Sequence, residues 1–190
     1  MNVSVTDLSK LISGEETCLF KIWYKMRHRE DTEEISKKLV EWKVNHTKMM
    51  LDLSNKLEMK GGEIKKEEYI KLDASNGTLV GRVDLLHIAD DEVIIYDCKS
   101  GKQNISHHLQ MMIYLYMVDK LKLYKGKMLR GVIHYENKDI YYSLGDILDD
   151  LHSSIETYTN ILLDDSAPSA FVGGSCEWCE IECEKKRRGL

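Results

Sequence analysis

The sequence predicts an α/β domain with helices flanking a central mixed sheet, and three observations carry that expectation. Helical and strand patterns interleave along the chain instead of segregating into halves. Apolar residues make up 43% of the 190 residues, enough for one substantial core. No Pro-, Gly- or Ser-rich linker, repeat or low-complexity tract divides the chain, whose one proline, Pro168, sits in the loop 164–174. It therefore reads as a single domain over 1–190: N-terminal helices to residue 30, a core over 31–163 and a tail over 164–190.

The elements follow in order. Short helices are expected over 6–13 and 17–27. A long helix follows over 32–59, with Asp31 or Thr32 as cap and Glu33 and Glu34 in its first turn, where acidic groups complement the helix dipole. Its apolar stripe reads Ile35, Leu39, Trp42, His46, Met49 or Met50, Leu53 and Leu57, with His46 the one polar member. Segments 67–72, 79–89, Glu92–Lys99, 129–137 and 140–143 carry the Val, Ile, Leu and Tyr of strands. Helices are expected again over 106–121 and 146–163.

Asp90-Asp91 suits a two-residue hairpin turn, and counting outward from it sets Asp84 opposite Asp97, with Cβ atoms roughly 5 Å apart. Like charges so placed destabilise a sheet unless a positive group lies between them. A hard divalent cation is the natural candidate; a solvated, accidental acidic pair is the bland alternative. Lys99, two residues beyond Asp97, points to the same face. On the following helix Gln110 and Tyr114 stand at i and i+4 on one side. His46 reads either as a satisfied core residue or as a neutral imidazole completing a metal site.

Five cysteines form a second constellation. Cys176, Cys179 and Cys183 make a Cys-x-x-Cys-x-x-x-Cys knot, Cys18 stands far upstream, and Cys98 lies between Asp97 and Lys99, its thiol facing away from the acidic pair. Three clustered thiols need a fourth ligand for a four-coordinate metal or an iron-sulfur cluster, and Cys18 can supply it. Structural zinc and unrelated free thiols are the competing readings.

The order acidic residue, acid-x-Lys, Gln-x-x-x-Tyr resembles the RecB-like branch of the PD-(D/E)XK nucleases, with Asp97 where that family more often has Glu. One early and three late cysteines around that core resemble the iron-sulfur nucleases that include the CRISPR-associated Cas-four proteins, here with three residues before the last cysteine where five are common. The resemblance implies a restriction-endonuclease-like core in which His46, Asp84, Asp97 and the backbone carbonyl of Cys98 hold magnesium or manganese. Lys99 orients or activates the attacking water, and Gln110 and Tyr114 help line the site. It further implies an iron-sulfur cluster on Cys18, Cys176, Cys179 and Cys183, [4Fe–4S] in preference to [2Fe–2S], joining the N-terminal helices to the tail. The expected activity is exonucleolytic hydrolysis of single-stranded DNA or overhangs, from the 5′ end, with a CRISPR integrase complex as the partner for members that trim spacer precursors. A non-catalytic cluster-bearing DNA-binding or adaptor module and a zinc-stapled regulatory protein are the alternatives.

Net charge is −5, which by itself disfavours a polyanionic partner, but acidic metal ligands inflate the negative total. Basic residues gather at Lys21, Lys25, Arg27, His28 and Arg29, at Lys120, Lys122, Lys125, Lys127 and Arg130, and at Lys185-Lys186-Arg187-Arg188. Trp23, Tyr24 and Trp178 beside such segments are candidates for stacking on unpaired bases or for the core. No signal peptide or membrane-length apolar run is evident, so a cytoplasmic protein without disulfides or membrane contact is expected.

Overall fold

A computed structural model of the chain describes residues 1–28, 37–74, 76–171, 176 and 179–187. Strand β1 (Asn2–Ser4) leads directly into helix α1 (Val5–Ile12), followed by α2 (Leu19–Arg27) and α3 (Lys37–Glu58). Strands β2 (Glu63–Ala74), β3 (Gly77–Ile88) and β4 (Glu92–Lys99) run consecutively, then α4 (Ile105–Lys120), β5 (Met128–Tyr135), β6 (Lys138–Ser143), α5 (Leu151–Leu163) and the short α6 (Glu184–Arg187). No helix among the described residues is long and apolar enough to cross a membrane.

The expected mixed sheet is present: β1 and β4 run parallel to β3 and β5 respectively, while β2–β3, β3–β4 and β5–β6 are antiparallel. The Asp90-Asp91 turn forms as read, with Ala89 N donating to Glu92 O at 2.9 Å, and its register holds from Ile88↔Val93 to Leu85↔Tyr96. There the ladder stops, one pair short of Asp84 and Asp97. Further along, β3 takes β1 as its neighbour, from Val80↔Ser4 to Thr78↔Asn2. Residues 81–84 thus lie in a fork between β4 and β1, while β2 runs along the other edge of β3.

Several expectations are corrected. The first residues form β1 instead of leading straight into a helix; Ser4 then caps α1, accepting from Asp7 N at 3.0 Å. Strand β2 is longer than 67–72, because pairing with β3 extends it at both ends. The helix expected over 146–163 begins at Leu151, after a 3₁₀ turn at Leu144–Asp146 in which Ser143 and Asp146 cap each other. The expected cap and first turn at 31–34, with Ile35, lie outside the described residues, as does the side chain of Leu39.

Two apolar layers hold the sheet. On one face α1, α4 and α5 bury Leu8, Tyr114, Met111, Ile155 and Leu162 against Leu79, Val83, Leu86 and Ile95. On the other, Met50, Leu53 and Leu57 of α3 pack on Leu85, Tyr96, Cys98 and Val132. Each fully buried aliphatic side chain contributes roughly 1.5–3 kcal/mol.

These clusters expose a change of face within β3. Alternation should put Val83 and Leu85 on the same side, yet Val83 belongs to the α1/α4 layer and Leu85 to the α3 layer. Strand β2 shows the same reversal between Ile64 and Ile70. Between them Glu67 adopts a left-handed backbone, φ +52°, and the ladder skips the pair Glu67–Asp84 while keeping its register on both sides. The sheet turns its faces over at this point, and Asp84 is the residue at the reversal.

Candidate active site

The fork in the sheet opens into a cleft of about 1100 Å³ whose lining includes His46, Asp84, Asp97, Lys99, Gln110 and Tyr114. Every side chain read as catalytic or as a metal ligand outside the cysteine knot is therefore in one place. Asp84 Oδ2 accepts from Cys98 N at 2.6 Å and meets His46 Nε2 at 3.2 Å, which ties β3, β4 and α3 together at one oxygen. The predicted strand-to-strand opposition of Asp84 and Asp97 is replaced by this side-chain-to-backbone bridge across the parted strands.

Asp97 is 2% exposed. Lys99 Nζ stands 2.8 Å from its Oδ2 as an ion pair, so the buried carboxylate faces an ammonium. Burial raises the Asp97 carboxyl, to about 6, against the pull of the Lys99 ammonium; the Asp84 charge adds to the rise. The hydrogen bond that its Nε2 makes to the Asp84 carboxylate raises the His46 imidazole, with burial opposing.

A relay of hydrogen bonds fixes the lysine. Lys99 Nζ donates to Gln110 Oε1 at 2.9 Å, Gln110 Nε2 donates to Tyr114 OH at 3.1 Å, and Tyr114 OH donates to Arg82 O at 3.0 Å. Gln110 and Tyr114 are themselves buried, so they position Lys99 from behind the cleft wall. Gly81 leaves room for this relay, because a Cβ there would collide with the Tyr114 ring and lie 2.8 Å from Val5 Cγ2.

The residues fit a hard divalent cation. A buried carboxylate, a second carboxylate and an imidazole lining one cleft are oxygen- and nitrogen-donor chemistry suited to magnesium or manganese. Among the described residues no three His, Cys, Asp or Glu side chains already stand at ion-holding distance.

Cys98 is buried in the α3 layer, as its position in the strand implied. Cys18 is buried at the start of α2; Cys176, Cys179 and Cys183 are half-buried. Lys21 connects the two ends of the chain. Its ammonium is lowered by burial but raised overall by Glu16, to which it is bonded at 2.5 Å, and by the thiols of Cys179 and Cys18. Cys179 N donates to Cys176 O at 3.2 Å, which brings two of the knot's cysteines together.

Other sequence candidates do not converge on the cleft. Trp23 donates its Nε1 to Asp164 O at 2.8 Å and carries the Arg27 guanidinium 4.0 Å over its ring, while Tyr24 stacks on His28. Trp178, Arg29 and Arg188 lie outside the described residues. In the second basic group Lys122 pairs with Asp119, Lys127 binds the Asp90 turn and Arg130 meets Glu92. The cations lining the cleft besides Lys99 are Lys10, Lys71, Arg82 and Lys102, scattered through the sequence with no local signal. His107 was also missed: it lines the cleft, holds Tyr135 OH at 2.9 Å through Nδ1, and burial lowers it to about 4, so it is neutral near pH 7.

The model of the PD-(D/E)XK nuclease superfamily matches residues 8–182. The chain belongs to that superfamily. No curated protein matches it. Among solved structures, SSO0001 is similar over 94% of this chain and 82% of its own, at 15% identity and a TM-score of 0.60. A Eubacterium rectale protein named "Putative exonuclease" is similar over 98% and 87%, at 13% identity and 0.57. LHK-Exo, in complex with dAMP, is similar over 84% and 87%, at 11% identity and 0.55. At such identities these likenesses show a shared fold, and the superfamily match supports a nuclease.

Proposed function

We propose that this PD-(D/E)XK chain is a Cas-four-like, metal-dependent deoxyribonuclease that hydrolyses single-stranded DNA or overhangs from the 5′ end. The observation that carries the reading is the gathering of the buried Asp97 carboxylate with Asp84, His46 and Lys99 in one open cleft. Asp84, Asp97, His46 and the Cys98 carbonyl would hold magnesium or manganese. When bound, the ion polarises the scissile phosphate and lowers the pKa of a coordinated water.

The chain's own groups do the rest. Lys99 has three N–H donors; one goes to Gln110 and one is drawn toward Asp97, leaving one to orient the attacking water or offset charge on the phosphate. Gln110, itself held by Tyr114, fixes the direction of the ammonium. Water attacks phosphorus, the P–O bond to the leaving sugar breaks, and its oxygen takes up a proton.

For the tail we assign an iron-sulfur cluster to Cys18, Cys176, Cys179 and Cys183. Four thiols suit such a cluster, and the shared influence of Cys18 and Cys179 on Lys21 supports a common neighbourhood. A place beside a CRISPR integrase rests on the sequence resemblance alone.

End-labelled single-stranded DNA incubated with anaerobically purified protein and manganese tests the activity. Cleavage from the 5′ end, abolished by chelator and by Lys99→Ala, is expected; cleavage by Lys99→Ala at the parent rate overturns the assignment. Visible absorption of the same preparation separates an iron-sulfur cluster from zinc.

A further inference from the structure

Two large aromatic rings stand half-exposed on the wall of the catalytic cleft. Trp42 is 49% exposed and Tyr69 is 64% exposed, and both line the cleft that holds Asp84, Asp97 and Lys99. Trp42 was expected in the apolar stripe of α3, yet the stripe is buried only from Met50 onward. Its ring lies on the imidazole of His46, centroids 5.2 Å apart and planes 26° from parallel. Tyr69 faces Arg82 across the β2–β3 ladder, with the guanidinium 6.0 Å from the ring centroid, and Glu67 steadies that guanidinium at 3.2 Å. Each ring is thus braced on one side by a planar polar group: Trp42 by the His46 imidazole, which meets Asp84, and Tyr69 by the Arg82 guanidinium.

We propose that Trp42 and Tyr69 are a base-stacking rim that takes unpaired nucleobases beside the phosphate that a metal on Asp84 and Asp97 would hold. Indole and phenol rings give every base a π-face to stack on, without reading its edge, so the rim is tolerant of sequence. Bases of an intact duplex already stack on one another and present no free face. The cations along the same wall, Lys10, Lys71 and Lys102, supply the charge complement for the sugar-phosphate chain whose bases the rings receive. The rim therefore selects unpaired over paired DNA at the point of cleavage. This rests on the nuclease reading above and adds to it the residues that set strand preference.

The test measures binding of a fluorescent single-stranded oligonucleotide to the Lys99→Ala protein in manganese, alongside the same strand with abasic residues. Trp42→Ala and Tyr69→Ala should each weaken binding of the intact strand roughly ten-fold and leave the abasic strand nearly unaffected. Trp42→Phe and Tyr69→Phe should restore most of the loss. Equal losses on intact and abasic strands would mean that the rings merely support His46 and Arg82, and the rim would be refuted while the nuclease stands. Absence of DNA binding by the Lys99→Ala protein, with no cleavage by the parent, would remove both.

Discussion

Asp97 is a carboxylate kept out of water beside another carboxylate, and its proton affinity follows from that. The native protein holds the proton more tightly than the unfolded chain, since burial raises the carboxyl from 3.8 to about 6. Its contribution to stability is therefore fully present below about pH 4 and lost as pH rises through about 6. His46, raised by Asp84, acts in the same direction across a higher window. In chelator the parent should melt at a higher temperature near pH 5 than near pH 7 by about 2–4 °C, and Asp97→Asn should flatten that difference. Manganese should remove the same slope, because a cation replaces the proton. A parent and an Asp97→Asn protein with identical pH profiles would contradict this. The Lys99 relay gives a second expectation. Gln110→Ala removes the acceptor that orients the ammonium, so turnover should fall by about 10²-fold, consistent with a displaced catalytic group. Unchanged Mn²⁺ affinity by calorimetry would distinguish loss of positioning from loss of the metal.

At the scale of the strand, the site depends on the reversal of faces at Glu67 and Asp84. A left-handed backbone costs an L-residue roughly 1–2 kcal/mol, which glycine avoids at an entropic cost of about 0.5–1 kcal/mol. Glu67→Gly should therefore keep metal binding and raise stability by up to about 1 kcal/mol, since the exposed Glu67–Arg82 pair contributes little. Glu67→Val, whose branched Cβ resists this conformation, should shift the reversal, misdirect Asp84 and weaken Mn²⁺ binding at least ten-fold in a protein that still folds. Calorimetric titration of the two variants checks both directions. None of this was legible beforehand. Glutamate gives no local sign of a left-handed residue, whereas Asp90-Asp91 announced its turn and with it the register from Leu85 to Ile88. Strand β1 was equally silent, because three residues acquire a strand only from their distant partner β3. The periodicity of α3 could not tell a residue facing the core, such as Leu57, from one facing the cleft, such as Trp42.

Over the whole molecule, the family motifs were readable because each acts through a short, fixed spacing: two residues from Asp97 to Lys99, four from Gln110 to Tyr114. The cationic lining was not, since Lys10, Lys71, Arg82 and Lys102 meet only after folding. The cysteines span almost the full chain, and a cluster on Cys18 and the late three would close a loop around the nuclease core. By analogy with a long-loop disulfide, that closure stabilises by roughly 4–5 kcal/mol, against a typical domain margin of about 5–15 kcal/mol. Replacing any one of Cys18, Cys176, Cys179 or Cys183 by serine should thus give pale, heat-labile protein, while Cys98→Ser keeps its colour. Iron content and melting temperature decide between this assignment and a different ligand set.

The smaller apolar layer has a consequence for timing. Helix α3 carries His46, but its only buried anchors among its described side chains are Met50, Leu53, Ser54 and Leu57, in its second half. The half that bears the imidazole is largely in water, so it belongs to the readily opening part of the structure, whereas α4, buried on nearly every side, opens only with the whole domain. His46, the proposed nitrogen ligand, thus sits on the loosely anchored half of α3, and the proposed carboxylate ligands sit on the packed strands β3 and β4. Amide hydrogen exchange should be fast around residues 40–47 in chelator and slow markedly on adding manganese, with α4 indifferent to both. If the proposed metal binds there, the opening of this half of α3 would set how quickly the ion is let go.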